Sequence, residues 1–264
     1  MLGTNPFSIL AETVSPFAMQ SFIIAMIVLI ALGTIIQMIH HKNITYFFNN
    51  AKKAKLQATR EIGAGEKASI IAKTTIVDIG TTAELGFGKR RLSHVLGMYG
   101  TIIFWVSSSM LVFCYTGADK ASSVTWSTLW HVGAILTCVG GYWFWLFLRV
   151  DVSAEAHPWY RIIKADLFVL ALLACSTFGL AWSYTQFNGQ TGLSFLFLAL
   201  FVLSNLVLFG GVYWSKFAHM FYKPGAAIQK NLAEADGSRD NLPPLADAPK
   251  QFGLGIKREE PKHY

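Results

Sequence analysis

Two histidines stand at the edges of long apolar segments: His94 near the start of one and His219 just beyond the end of another. Imidazole is an iron ligand, and a b-type haem needs two of them, one from each of two helices, above and below the porphyrin plane. Stepping by three or four residues from His94 gives Gly97, Thr101 and Ser108. Stepping back from His219 gives Ser215, Gly211, Leu208 and Ser204. Small side chains on both faces leave room for a flat macrocycle, and they equally permit close helix packing. Arg90, Arg91, Arg149 and Lys216 fall at the same depth and suit the neutralisation of haem propionates. The alternative reading keeps both histidines as interfacial side chains with no metal.

The remaining histidines divide by position. His131 lies one turn into an apolar segment, at the end opposite His94; a second haem there would need Met110 or a ligand from another subunit. His157 opens the run His157-Pro158-Trp159-Tyr160-Arg161. An imidazole beside a guanidinium and two aromatic walls suits a quinone, whose reduction couples electrons to protons. A plain interfacial loop accounts for the same residues. His40, His41 and His263 read as interfacial or tail residues, and Asp166 as a charge favoured at a helix N-terminus. Cys114, Cys138 and Cys175 lie in different segments without ligand spacing and read as small buried residues. Gly86-Phe87-Gly88-Lys89 lacks the rest of a phosphate loop.

These residues must be positioned by five apolar segments, at roughly 18–39, 92–114, 127–148, 165–185 and 193–214. Each is long enough to cross a hydrocarbon core of about 30 Å as a helix. When the chain is threaded through a bilayer, 21 of its 22 basic residues fall on one side and only Lys120 on the other. The positive-inside rule makes the basic side cytoplasmic. The expected fold is all-α, with five transmembrane helices, the N-terminus out and the C-terminus in. Residues 1–224 form the transmembrane domain, with a cytoplasmic loop 43–90, and residues 225–264 form a polar cytoplasmic tail. In the loop, the basic stretch Ala51–Arg60 suits an interfacial helix. Residues 1–17 read as an outer arm along the interface, and the segment 18–39 as a retained helix rather than a cleaved signal. The Trp and Tyr residues at the ends of 127–148 suit an aromatic belt. Pro224-Gly225 is expected to stop the fifth helix, and the tail either to be disordered or to fold against a partner.

Composition agrees. The chain is 53% hydrophobic and 14% charged, where a soluble domain carries about 25% charged residues. The net charge of +7 flanks membrane segments, where orientation and anionic lipid explain it, so nucleic acid is not an expected partner. A transporter would want charges or broken helices at mid-depth, or an inverted repeat, and none is visible.

The run Arg90-Arg91-Leu92-Ser93-His94-Val95-Leu96-Gly97-Met98-Tyr99-Gly100 resembles the second helix of respiratory cytochrome b subunits. The run Trp214-Ser215-Lys216-Phe217-Ala218-His219-Met220-Phe221-Tyr222-Lys223-Pro224 resembles the end of their fifth. The family is that of the nitrate reductase gamma subunit, and within it the chain looks most like the membrane anchors of dissimilatory adenylylsulfate (APS) reductase. The resemblance covers roughly 90–224. It implies a bacterial inner-membrane subunit that carries electrons between a soluble cytoplasmic FAD and iron–sulfur oxidoreductase and the quinone pool through haem b. It places His94 and His219 on the iron. The nitrate reductase subunit resembles a two-haem protein; here Phe104 stands where the second helix would carry its other histidine, so the pattern carries over at one site. A structural anchor without haem is the alternative.

Overall fold

A computed structural model of the chain describes residues 1–85, 88–116, 124–150, 157–238, 251–252 and 256–257. Asp119 and Lys120 of the outer loop, Gly86 and Phe87, and most of the tail beyond Ser238, His263 included, lie outside the described residues. The fold is all-α. Pro6–Leu10 is a short helix, α1, and Pro16–His40 is α2. Asn43–Leu56 is α3; Ala64–Lys73 is α4, which widens into a π-helical turn over Thr74–Gly80. Lys89–Cys114 is α5, and Val124–Trp143 is α6, again ending in a π-helical turn, Phe144–Leu148. Leu167–Phe187 is α7, Thr191–Gly210 is α8 and His219–Ala235 is α9.

Five of these are long and apolar enough to cross a membrane: Pro16–His40, Lys89–Cys114, Val124–Leu148, Lys164–Phe187 and Thr191–Tyr213. At 23 to 26 residues, each exceeds the roughly 20 a bilayer demands. The chain is an all-α membrane protein. Its described residues divide into two compact units, one of 1–37 and 92–218 and one of 38–91 and 219–264.

In the first unit, α5 and α6 approach through small residues. A Cβ on Gly100 would sit 2.6 Å from the Thr137 nitrogen, and one on Gly140 would sit 2.5 Å from the Gly97 nitrogen. Ser93 Oγ donates to the Gly140 carbonyl at 2.7 Å. Lipid offers no hydrophobic drive between helices, so backbone approach and such bonds hold the pair together. Most of the small-residue stripe beside His94 is therefore occupied by helix packing.

Trp130 and Trp182 are fully buried and form a cluster with Phe104 and Phe201, with Trp182 stacked on Phe201 at 5.8 Å. Trp145 is buried as well. Of the expected belt, Trp130 and Trp145 are core while Tyr142 is exposed: an almost uniformly apolar helix does not announce which face packs inward. Residues 1–17 also depart from expectation. The side chain of Asn5 caps α1 through Phe7 N and donates to the Tyr115 carbonyl at 3.1 Å. Phe7 packs edge-on against Trp130 and Trp182. This part of the arm is plugged into the helical unit rather than laid along an interface.

The second unit folds the loop 43–91 together with the start of the tail. Asn231 of α9 donates to Thr74 Oγ1 and Asp78 Oδ2, both at 2.7 Å. The Thr59 and Arg60 amides donate to the Asp236 carbonyl, and Arg60 Nε to that of Ala235 at 2.6 Å. Arg60 thereby satisfies the open carbonyl end of α9, where a cation is favoured. It also pairs with Glu66 in the first turn of α4. That hydrogen bond, with the charge behind it, holds the Glu66 carboxyl below its usual range and raises the Arg60 guanidinium. Two expectations are corrected here. The tail through Ser238 finds its packing partner in this chain's own loop. Pro224 does not stop a helix but lies inside α9, its lost amide bond offset by these contacts. Farther on, Gln251–Phe252 pairs antiparallel with Ile256–Lys257. In α3 the residues Tyr46, Phe48 and Leu56 are exposed beside a basic last turn.

Candidate functional site

His94 lies on α5 in the first unit and is exposed there. Its neighbour Ser93 is buried against α6, donating to the Gly140 carbonyl. One turn further, a side chain placed on Gly97 would meet no atom within 4 Å. Thr101, next on the same face, is buried, donating to the Gly97 carbonyl and lying 3.4 Å from Thr137 Oγ1. The stripe is therefore open at Gly97 and filled at Thr101.

His219 is the first residue of α9 in the second unit and is half-buried. It is not the last turn of the fifth apolar helix. That helix tightens into a 3₁₀ turn over Gly211–Tyr213, and the Ser215 hydroxyl accepts from the Phe217 amide at 3.2 Å. The carbonyls exposed at this break receive the Gln37 amide, which donates to Tyr213 O at 3.3 Å and Ser215 O at 3.5 Å. The face Ser204, Leu208, Gly211 and Ser215, all buried, does not continue in helical register to His219. Consecutive glycines at 210 and 211, poor helix formers, are the local cause.

The cations differ in exposure. Lys216 is exposed in the connection before α9, and Arg90 is half-buried in the first turn of α5. Arg91 donates to the Thr81 carbonyl and hydroxyl, both at 2.8 Å, tying its helix to the preceding loop. Arg149 is 0% exposed and committed inward: it donates to the carbonyls of Pro158 (2.9 Å) and Arg161 (2.7 Å) and to Asp166 Oδ2 (2.5 Å), with Trp145 beneath it at 4.2 Å. It is a loop-closing residue rather than a propionate partner. Asp166 also accepts from the Ile163 amide at 2.8 Å, so it is half of a buried ion pair and not a lone helix-end charge.

Around that pair, 157–163 forms an open turn. The His157 amide donates to Arg149 O, His157 is half-buried and Arg161 is exposed, and Trp159 and Tyr160 are 59% and 70% exposed. The four residues expected at a quinone are together, on a turn held from below by Arg149.

His131 is fully buried. Its Nδ1 lies 2.7 Å from the Ser127 carbonyl and its Nε2 2.7 Å from Ser183 Oγ on α7. A carbonyl only accepts, so Nδ1 carries the proton and the Nε2 lone pair meets the Ser183 hydroxyl. Both nitrogens are in contact within the fold, so that in this structure His131 is a hydrogen-bonded strut between α6 and α7. Among the described residues no cluster of three His, Cys, Asp or Glu residues is arranged to hold a bare metal ion.

One feature escaped the sequence reading. A cavity of about 370 Å³ lies within the first unit between α2, α5 and α8. Its walls include Phe104, Trp105, Phe201 and Phe209, with Ser109 and Asn205 among its few polar side chains. Asn205, a lone amide inside the apolar run Phe201–Phe209, was the available signal.

Five spanning helices, two satisfied polar struts and an exposed imidazole at the start of α5 define a polytopic helical membrane protein. No protein-family model, curated protein or solved structure matches the chain.

Proposed function

We propose that this chain is the membrane anchor and electron-transfer subunit of an oxidoreductase complex in a bacterial inner membrane, its N-terminus outside and its tail in the cytoplasm. It joins a soluble FAD and iron–sulfur enzyme, by resemblance APS reductase, to the quinone pool. The observation that carries the reading is His94: an imidazole exposed at the basic end of α5, with open space at Gly97 one turn on. In this reading His94 and His219 hold a single haem b, which supplies a one-electron carrier when bound. Arg90 and Lys216 are the cations suited to its propionates, while Arg149 and His131, buried within the fold, take no part. The one-sided distribution of basic residues sets the orientation. The exposed aromatic and basic α3 and the tail beyond Ser238 supply contacts for membrane surface and soluble partner.

A second reading, an anchor without haem, draws on the α5–α6 contact, which accounts for most of the small-residue stripe with no macrocycle. A pyridine haemochrome spectrum of the purified chain, together with co-sedimentation of the soluble enzyme, separates the two. Haem b with partner binding supports electron transfer. Partner binding without haem leaves only the structural anchor, and the absence of both haem and partner binding overturns both readings.

A further inference from the structure

We infer that the cavity between α2, α5 and α8 binds the head ring of a membrane quinone or quinol. This rests on the reading that the chain exchanges electrons with the quinone pool, and it moves the binding site from the turn 157–161 to this cavity. The cavity volume of about 370 Å³ is in the range of small-molecule sites, about 300–1,000 Å³. Its lining carries no charged side chain, so the occupant is neutral, and the walls are apolar, so it comes from the lipid phase.

Two polar groups then choose among lipids. The Trp105 indole Nε1 is buried and has no hydrogen-bond partner among the described residues. Asn205 is 8% exposed. Its Nδ2 donates to the Phe201 carbonyl at 2.8 Å, which fixes the amide and leaves Oδ1, among the described residues, accepting no hydrogen bond. A buried, unsatisfied donor is costly to leave unmade, and Asn205 Oδ1 is a second polar atom of the lining with no hydrogen bond among the described residues. An acyl chain answers neither. A quinone offers a carbonyl to the Trp105 N–H, and a quinol offers a hydroxyl to Asn205 Oδ1. Phe104, Phe201 and Phe209, which line the same space, suit stacking on a flat ring. The other polar lining groups are already engaged: Ser108 with Phe104 O and Trp130, and Ser109 with Trp105 O. The free pair is therefore Trp105 and Asn205.

The test is binding of decylubiquinol, kept reduced, to the full chain in nanodiscs, by equilibrium partition, with haem b assayed on the same samples. Asn205→Leu keeps the approximate volume and removes the acceptor; it is expected to weaken binding about tenfold, the effect of one hydrogen bond in a dry site. Ser109→Phe leaves both polar groups in place and fills the space, and should abolish binding. His157→Ala should bind as the parent does. Unchanged binding in both cavity variants, loss in His157→Ala alone, or no binding by the parent chain would each overturn the cavity assignment. None of these outcomes alters the haem content, so the electron-transfer reading stands or falls separately on that assay.

Discussion

His94 and His131 belong to the same helical unit and have the same side chain, yet their surroundings are opposite. His131 is sealed, with one nitrogen on a carbonyl and the other on a hydroxyl of the next helix. His94 is exposed, beside a glycine that faces open space. An imidazole inside a membrane segment is costly unless satisfied. His131 is satisfied inside the fold, which makes it a structural element; His94 lies at the exposed surface of its unit. Arg149 extends the contrast to a full charge, held by two carbonyls and one carboxylate, and it too is structural.

The contrast can be broken by substitution. Arg149→Ala would leave Asp166 buried without its cation, and removing one partner of a buried pair costs about 3–5 kcal/mol. A fall of that size in unfolding free energy in detergent, with the spectrum of any bound haem unchanged, is expected; loss of haem at undiminished stability would return Arg149 to the propionate role. His131→Ala removes two hydrogen bonds and strands Ser183, a loss of about 1–3 kcal/mol. Haem content should remain that of the parent, and a drop in haem without a drop in stability would restore His131 as a ligand.

A smaller effect lies in the second unit, at the exposed pair of Arg60 and Glu66. Because the hydrogen bond from Arg60 lowers the folded-state pKa of Glu66, its contribution to stability is present above the unfolded value of 4.5. That contribution fades as pH falls through the lower folded value. Glu66→Gln should therefore melt slightly below the parent near neutral pH, and the two melting curves should converge in acid. A gap that persists at low pH would mean that the carboxylate charge contributes nothing.

The five spanning helices were legible because about 20 consecutive apolar residues suffice to name them, whatever their facing. Facing is what stayed hidden. Trp130 and Trp182 belong to the core although end-of-segment aromatics suit a belt, because helices apolar on every side carry no moment. The partners of His131 and Arg149 lie 52 and 17 residues away in sequence, and no local pattern encodes such pairings. The break after Gly210-Gly211 was written in two adjacent glycines and passed over. The course of α9 through Pro224 ran against a sound local rule, because contacts made by Asn231 and Arg60 outweigh it.

The central claim is that the exposed histidine, and not the buried one, serves the cofactor. Its most direct test is the haem b content of His94→Ala, His219→Ala and His131→Ala, purified side by side from membranes at matched protein amounts. The account predicts no b-type reduced-minus-oxidised signal in the first two and a parental signal in the third. A full haem complement in His94→Ala, or its loss in His131→Ala alone, would contradict it.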